Sequence, residues 1–203
     1  MAEDKSRQGG ADQDMAEIKS RIVEAASKLY EKKGQHATVE DIASAAGVSV
    51  PVTYQFVKKP ADIMLLIMET LQQQFAEGLA EFDETGASPR KKLVAAFRQF
   101  LKVVDQQAPK VLLVYRYSRT LDKLGLKRVM ELELAIQQKF KSILEEGIGA
   151  AEFSVLDSDL AAYDLVMMGH LWALKQWHFK KIGLSFSDFL ARQESAMLTM
   201  ILK

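Results

Sequence analysis

Residues 38–57, TVEDIASAAGVSVPVTYQFV, decide how this chain is read. Thr38 and Asp41 have the spacing of a reciprocal helix cap, and the helix they open contains Ile42 and Ala43. Ala46, Gly47 and Val48 follow: a small residue, a glycine free to take a turn, and an apolar anchor. Ser49 stands where a second short helix needs its cap, with Pro51 in the first turn, where a missing N–H leaves no bond unmade. Two short helices crossing through a tight glycine turn make a helix-turn-helix. Ala43 permits the close crossing, Gly47 takes the turn and Val48 pins the pair to a core. The second helix presents Val50, Pro51, Val52 and Gln55 to a major groove, and Tyr54, Lys58 and Lys59 are placed to reach phosphates.

Outward from this segment the pattern is helical throughout. Ile18, Ile22, Ala25, Ala26, Leu29 and Tyr30 recur at helical spacing, with Lys32, Lys33 and Gly34 as a stop signal. Residues 1–14 have almost nothing to bury and read as a disordered tail. Pro51, Pro60, Pro89 and Pro109 each open an apolar-periodic stretch. The clearest is Ser88-Pro89 ahead of Leu93, Ala96, Phe97, Phe100, Leu101 and Val104. Pro60 opens a helix to about Leu79, and Pro109 one from Val111 to Leu121. Ile136, Phe140, Ile143 and Leu144 mark a long helix ending near Gly147. Asp157 or Ser158 caps another to roughly Lys181, and Ser185 with Asp188 opens the last. No β-alternation, hairpin dipeptide or phosphate loop occurs. The expected fold is all-α with about nine helices: a tail (1–14), a three-helix headpiece (15–60) and a larger helical domain (61–203).

Composition excludes several classes. The 203 residues contain no cysteine and three histidines, which leaves out disulfide scaffolds, thiolate metal sites and cysteine nucleophiles. His170 and His178 are too far apart to chelate as an i, i+4 pair, and no metal or cofactor is expected. No nucleophile elbow or isolated carboxylate pair suggests an enzyme. The richest apolar run, 165–174, is too short to span a bilayer, and residues 1–10 lack the apolar core of a signal peptide. A soluble cytoplasmic protein without membrane contact is expected. Lys plus Arg equal Asp plus Glu at 27 each. Between 16 and 60 seven basic residues face five acidic ones, a narrow margin for phosphate neutralisation.

The stretch 21–63, RIVEAASKLYEKKGQHATVEDIASAAGVSVPVTYQFVKKPADI, resembles the N-terminal domain of TetR-family transcriptional regulators. It shares their first helix and glycine, Thr-capped second helix, A-x-x-x-G-V-S turn, recognition helix with a central tyrosine, and basic approach to helix four. The resemblance implies DNA-facing positions at Thr38, Ser49, Val50, Pro51, Val52, Tyr54, Gln55 and Lys58, with Lys59 adding charge. The chain departs from the family pattern at three places. Val52 then Thr53 stand where the family has threonine then an aliphatic residue, which moves a hydroxyl from the DNA side toward the core. Phe56 replaces a polar residue, and Pro60 replaces a lysine.

The resemblance also implies that residues 61–203 bind a small molecule and form a homodimer. Leu160, Met167, Leu171 and Leu174 make one stripe on their helix, and Leu165, Met168 and Trp172 another; a helix apolar on two sides needs a cover on both. Phe97, Leu101, Phe140, Met168 and Trp172 are candidate pocket residues. Tyr115 stands beside Arg116 and Arg119, three apart on one helix face, which suits an apolar, acyl-type effector with an acidic end; surface pairing of the two arginines with nearby Asp or Glu is the plainer alternative. His170 reads as a hydrogen-bonded core residue. The function expected is a ligand-responsive regulator, a repressor, that binds a pseudo-palindromic double-stranded DNA operator as a dimer. The alternative is a helical small-molecule-binding or interaction protein with weak or non-specific DNA binding.

Overall fold

The computed structural model describes residues 2–80 and 86–202, with side chains for 14–34, 36–59, 62–78, 86–119 and 121–202. Its helices are α1 (Ala2–Lys33), α2 (Val39–Ala46), α3 (Val50–Phe56), α4 (Pro60–Ala80), α5 (Pro89–Gln106), α6 (Ala108–Tyr117), α7 (Lys123–Gly149), α8 (Ser158–Lys181) and α9 (Phe186–Ile201). Single 3-10 turns at Gly34–His36 and Ser118–Thr120 link α1 to α2 and α6 to α7. Among the described residues the fold is all-α, as the periodicity predicts.

The start signals act largely as the sequence implies. Thr38 Oγ1 accepts the Asp41 N–H at 3.1 Å while the Asp41 carboxylate accepts the Thr38 N–H at 3.2 Å. Ser88, Asp157 and Ser185 cap α5, α8 and α9 through their side chains. Ser49 is the N-cap residue of α3 but makes no side-chain cap bond. Pro51 occupies one of the two positions whose N–H such a hydroxyl accepts, and proline has none to give. Two boundaries differ from expectation. Residues 2–14 form the first turns of α1 rather than a separate tail, since no proline interrupts them; their side chains up to 13 lie outside the described residues. The helix α6 ends at Tyr117, and the 3-10 turn, not α-helix, carries the chain to Leu121.

In the larger domain α4, α5, α7 and α8 enclose Phe75, Phe97, Phe100 and Phe140. Phe75 and Phe140 both meet Phe100 edge-on at 5.5 Å between ring centres. Such pairs add about 0.5–1.5 kcal/mol beyond area burial. Gly169 lets α8 approach α5: a Cβ there would stand 2.4 Å from Phe100 Cε1. A second aromatic cluster joins α8 to α9, where Trp172 stacks on Phe179 and meets Phe186 and Phe189. Its Nε1–H donates to Asp105 Oδ1 at 2.6 Å, which ties in α5.

The two-sidedness of α8 is real. Leu165 and Trp172 are buried at 0% and 5% exposure, whereas Leu160, Met167 and Leu171 remain 61%, 45% and 36% exposed. In the headpiece, α1 packs Ile22, Ala26 and Tyr30 with Ile42, Ala46 and Val57 in the buried core. Lys110 of α6 donates to Glu24 of α1 at 2.8 Å, and Lys19 of α1 to Glu69 of α4 at 3.0 Å. The Tyr117 and Tyr30 rings meet edge-on at 5.5 Å. These contacts join the headpiece to the larger domain.

Candidate nucleic-acid interface and the cavity behind it

The turn between α2 and α3 is built as its sequence suggests, with an addition. Gly47 adopts φ +62°, the left-handed conformation that glycine takes without steric cost, and the Val48 N–H closes on Ala43 O at 3.0 Å. Arg21 of α1 clasps the same turn: Nε and Nη2 donate to Ala46 O at 3.0 and 2.6 Å, and Nη2 also donates to Gly47 O at 2.8 Å. A guanidinium fork on carbonyls left open by a helix end is a charge-assisted cap. It fixes α1 to the turn that orients α3.

On α3, Val50, Pro51, Tyr54 and Gln55 are exposed and Val52 is half-buried, while Thr53 is fully buried. Thr53 Oγ1 donates to Ser49 O at 3.1 Å, so the exchanged hydroxyl is satisfied inside the helix. Phe56 packs its half-buried ring against the core. The Tyr54 hydroxyl donates to Glu40 Oε1 at 3.1 Å, and Thr38 and Ser49 lie exposed at the two helix starts. Asp62 accepts the backbone N–H groups of Lys58 and Lys59 at 2.8 and 3.0 Å, holding the α3–α4 junction. The basic margin of the headpiece is largely engaged. Lys19, Lys28, Lys33 and Lys59 pair with Glu69, Glu24, Asp41 and Asp122 respectively. Lys32 and Lys58 have no ion pair among the described residues.

Behind the headpiece lies a cavity of about 130 Å³, close to the roughly 150 Å³ apolar void that admits benzene. Its walls come from α4 (Met68, Leu71, Phe75), α5 (Phe100, Val103, Val104), α6 (Val111, Val114, Tyr115), α7 (Leu126, Val129, Met130, Glu133, Ile136) and α8 (Val166, His170), with Ser118 between α6 and α7. The polar groups cluster. The Tyr115 hydroxyl and His170 Nδ1 are hydrogen-bonded at 2.8 Å. Burial, and secondarily the charge of Glu133, push the Tyr115 phenol up to about 12. Burial pushes His170 down to about 4, which keeps its ring neutral at neutral pH. Burial also raises the Glu133 carboxyl above its usual range.

Of the pocket residues expected from the sequence, Tyr115 lines this cavity. Phe97, Leu101 and Phe140 are fully buried in the core and Trp172 belongs to the α8–α9 aromatic cluster; none of the four lines it. Met168 is half-buried against the core, also outside the wall. Arg116 and Arg119 are exposed, off the cavity wall, and without an ion pair among the described residues. His170 is hydrogen-bonded, as its setting suggests, and it also faces the cavity. Glu133 was legible in principle: Val129, Glu133, Ile136 and Phe140 share one core-facing stripe of α7, and an acid at such a position is a signal in itself. The Arg21 clasp had no local signal, because its partners are backbone carbonyls 25 and 26 residues away.

Comparison with known proteins agrees with this geometry. Residues 22–56 match the family described as bacterial regulatory proteins, tetR family, and residues 86–199 match the tetracyclin repressor-like C-terminal domain. The HTH-type transcriptional regulator HbdR of Aromatoleum sp. (strain CIB) is 25% identical over 164 residues, 80% of this chain and 72% of that protein. The HTH-type transcriptional activator FasR of Mycolicibacterium smegmatis is 26% identical over 100 residues, 49% of this chain and 46% of that one. A tetR-family regulatory protein from Rhodococcus RHA1 superposes with a TM-score of 0.75 at 18% identity, over 90% of this chain and 96% of that one. Among the described residues no helix is long and apolar enough to cross a membrane. Matched by family models in both its headpiece and its larger domain, the chain belongs to the TetR family of DNA-binding transcriptional regulators.

Proposed function

We propose that this regulator is a repressor that binds a pseudo-palindromic operator as a homodimer and releases it when a small, largely apolar molecule enters the cavity. The observation that carries the reading is the shared wall. The 21-residue α4 starts four residues after α3 ends and supplies one side of the cavity; a helix of this length extends about 30 Å. Another part of the wall comes from α6, which Lys110 ties to Glu24 of α1. A ligand that spreads these helices acts on both supports of the headpiece, and coupling of about 1–3 kcal/mol suffices for such a response. The exposed Leu160, Met167 and Leu171 of α8 are the face we assign to the partner subunit, together with α9. Two-fold pairing sets the recognition helices about 34–36 Å apart, one turn of duplex.

Fluorescence anisotropy with the duplex upstream of the protein's own gene, against a scrambled duplex of the same composition, tests the reading under salt titration. Tighter binding to the upstream duplex at every salt concentration is expected. Equal binding to both would overturn the operator reading in favour of a helical ligand-binding protein with non-specific DNA affinity.

A further inference from the structure

Among the described residues that line the cavity, Glu133 is the one acid, and no lysine or arginine accompanies it. Its carboxylate has no hydrogen bond or ion pair among the described residues, and burial raises its pKa. The neighbouring His170 does not supply a counter-charge, because the same enclosure holds its ring neutral. Phe75, Phe100 and Tyr115 bring aromatic rings to the cavity, with Phe100 meeting Phe75 edge-on at 5.5 Å and Tyr115 meeting His170 edge-on at 5.5 Å. A half-buried carboxylate without a partner is unfavourable, and it becomes favourable when a cation joins it. Aromatic rings add to the attraction for an alkylated ammonium, whose charge is spread over apolar surface.

We propose that the cavity binds a small apolar cation, an aryl- or alkylammonium, whose charged end sits at Glu133 and whose hydrocarbon lies among Phe75, Phe100 and Tyr115. The proposal rests on the effector reading of this cavity and specifies its ligand chemistry. An organic acid would meet Glu133 as a like charge, and Arg116 and Arg119 are not in the wall to offset it. A neutral molecule would leave the charge of the carboxylate uncompensated.

Isothermal titration of the full-length protein at neutral pH, with benzyltrimethylammonium, benzyl alcohol and phenylacetate, tests the assignment. Benzyltrimethylammonium should bind more tightly than phenylacetate by about tenfold or more. The substitution Glu133→Gln should remove most of that preference while leaving benzyl alcohol binding unchanged. Phenylacetate binding as well as the cation, no binding of any probe, or a folded E133Q protein that retains the cation preference would each overturn the proposal. The wild-type ranking decides the matter even where E133Q does not fold. Operator binding by the ligand-free protein is read separately, so failure of the ligand assignment is distinguishable from failure of the regulator reading.

Discussion

Lys59, at the junction of α3 and α4, is ion-paired with Asp122, the residue that caps α7. The other carboxylate oxygen of Asp122 accepts the Gly125 N–H at 2.8 Å, so one acid both starts α7 and holds a cation beside the recognition helix. Lys59 first, then the Gly125 N–H, keeps the Asp122 carboxyl below the usual carboxylate range. Later turns of the same α7 carry Leu126, Val129, Met130, Glu133 and Ile136 of the cavity wall.

Replacing Asp122 by Asn keeps a cap oxygen for Gly125 and removes the charge that holds Lys59. DNA affinity should rise for upstream and scrambled duplexes alike, and the slope of log K against log salt should steepen by about one phosphate contact. Salt-titrated anisotropy measures both. An unchanged slope would mean that Lys59 does not reach a phosphate when freed.

Arg21→Met should loosen the turn between α2 and α3 without changing the buried face of α1. Loss of the charged donors to Ala46 O and Gly47 O is expected to cost about 1–2 kcal/mol in urea denaturation. Affinity for the upstream duplex should fall more than affinity for a scrambled one, because the orientation of α3 is what the clasp secures.

His170 sets a pH dependence whose sign is fixed. Its folded-state pKa of about 4 lies below the ordinary 6.5, so the unfolded chain takes up the proton first as pH falls. The stability contribution is intact above pH 6.5 and is lost progressively toward pH 4, by up to about 3 kcal/mol. Urea denaturation at a series of pH values should show this fall, and His170→Asn should flatten it.

Gly169→Ala places a methyl against Phe100, which lies between the core and the cavity. Overpacking of this kind costs about 1–3 kcal/mol. A lower Tm is expected, with weaker binding of benzyltrimethylammonium as Phe100 is displaced. A Tm equal to wild type would show that α5 and α8 separate easily.

The double substitution M167E/L171E puts two charges on the exposed stripe of α8, away from the buried Leu165 and Trp172. Sedimentation velocity should find a dimer for the wild type and a folded monomer for the variant. A variant that remains dimeric would move the subunit interface off α8.

The local rules made the headpiece readable. The Thr38–Asp41 cap, the left-handed Gly47 and the inward hydroxyl of Thr53 each follow from residues within a few positions of one another. The stripes of α5 and α8 were equally plain, since periodicity reports which face is buried. It does not report what that face meets, and this is why Phe97, Leu101 and Phe140, apolar at helical spacing, proved to be solid core while the cavity opened beside Phe75 and Phe100. Arg116 and Arg119 would share a face on a continuous helix, but α6 turns Val111, Val114 and Tyr115 to the cavity and ends at Tyr117, which leaves Arg119 in the 3-10 turn. Contacts such as Lys59 with Asp122 join residues 63 positions apart and depend on the tertiary arrangement alone.

The central claim is that α3 reads base edges, and Gln55 tests it most directly. A glutamine on an exposed helix face pairs bidentately with adenine, and loss of such a contact costs about 1–3 kcal/mol of discrimination. Anisotropy with Gln55→Ala should therefore show about a tenfold or greater loss on the upstream duplex and no change on the scrambled one. Equal loss on both duplexes, or no loss on either, would contradict the account.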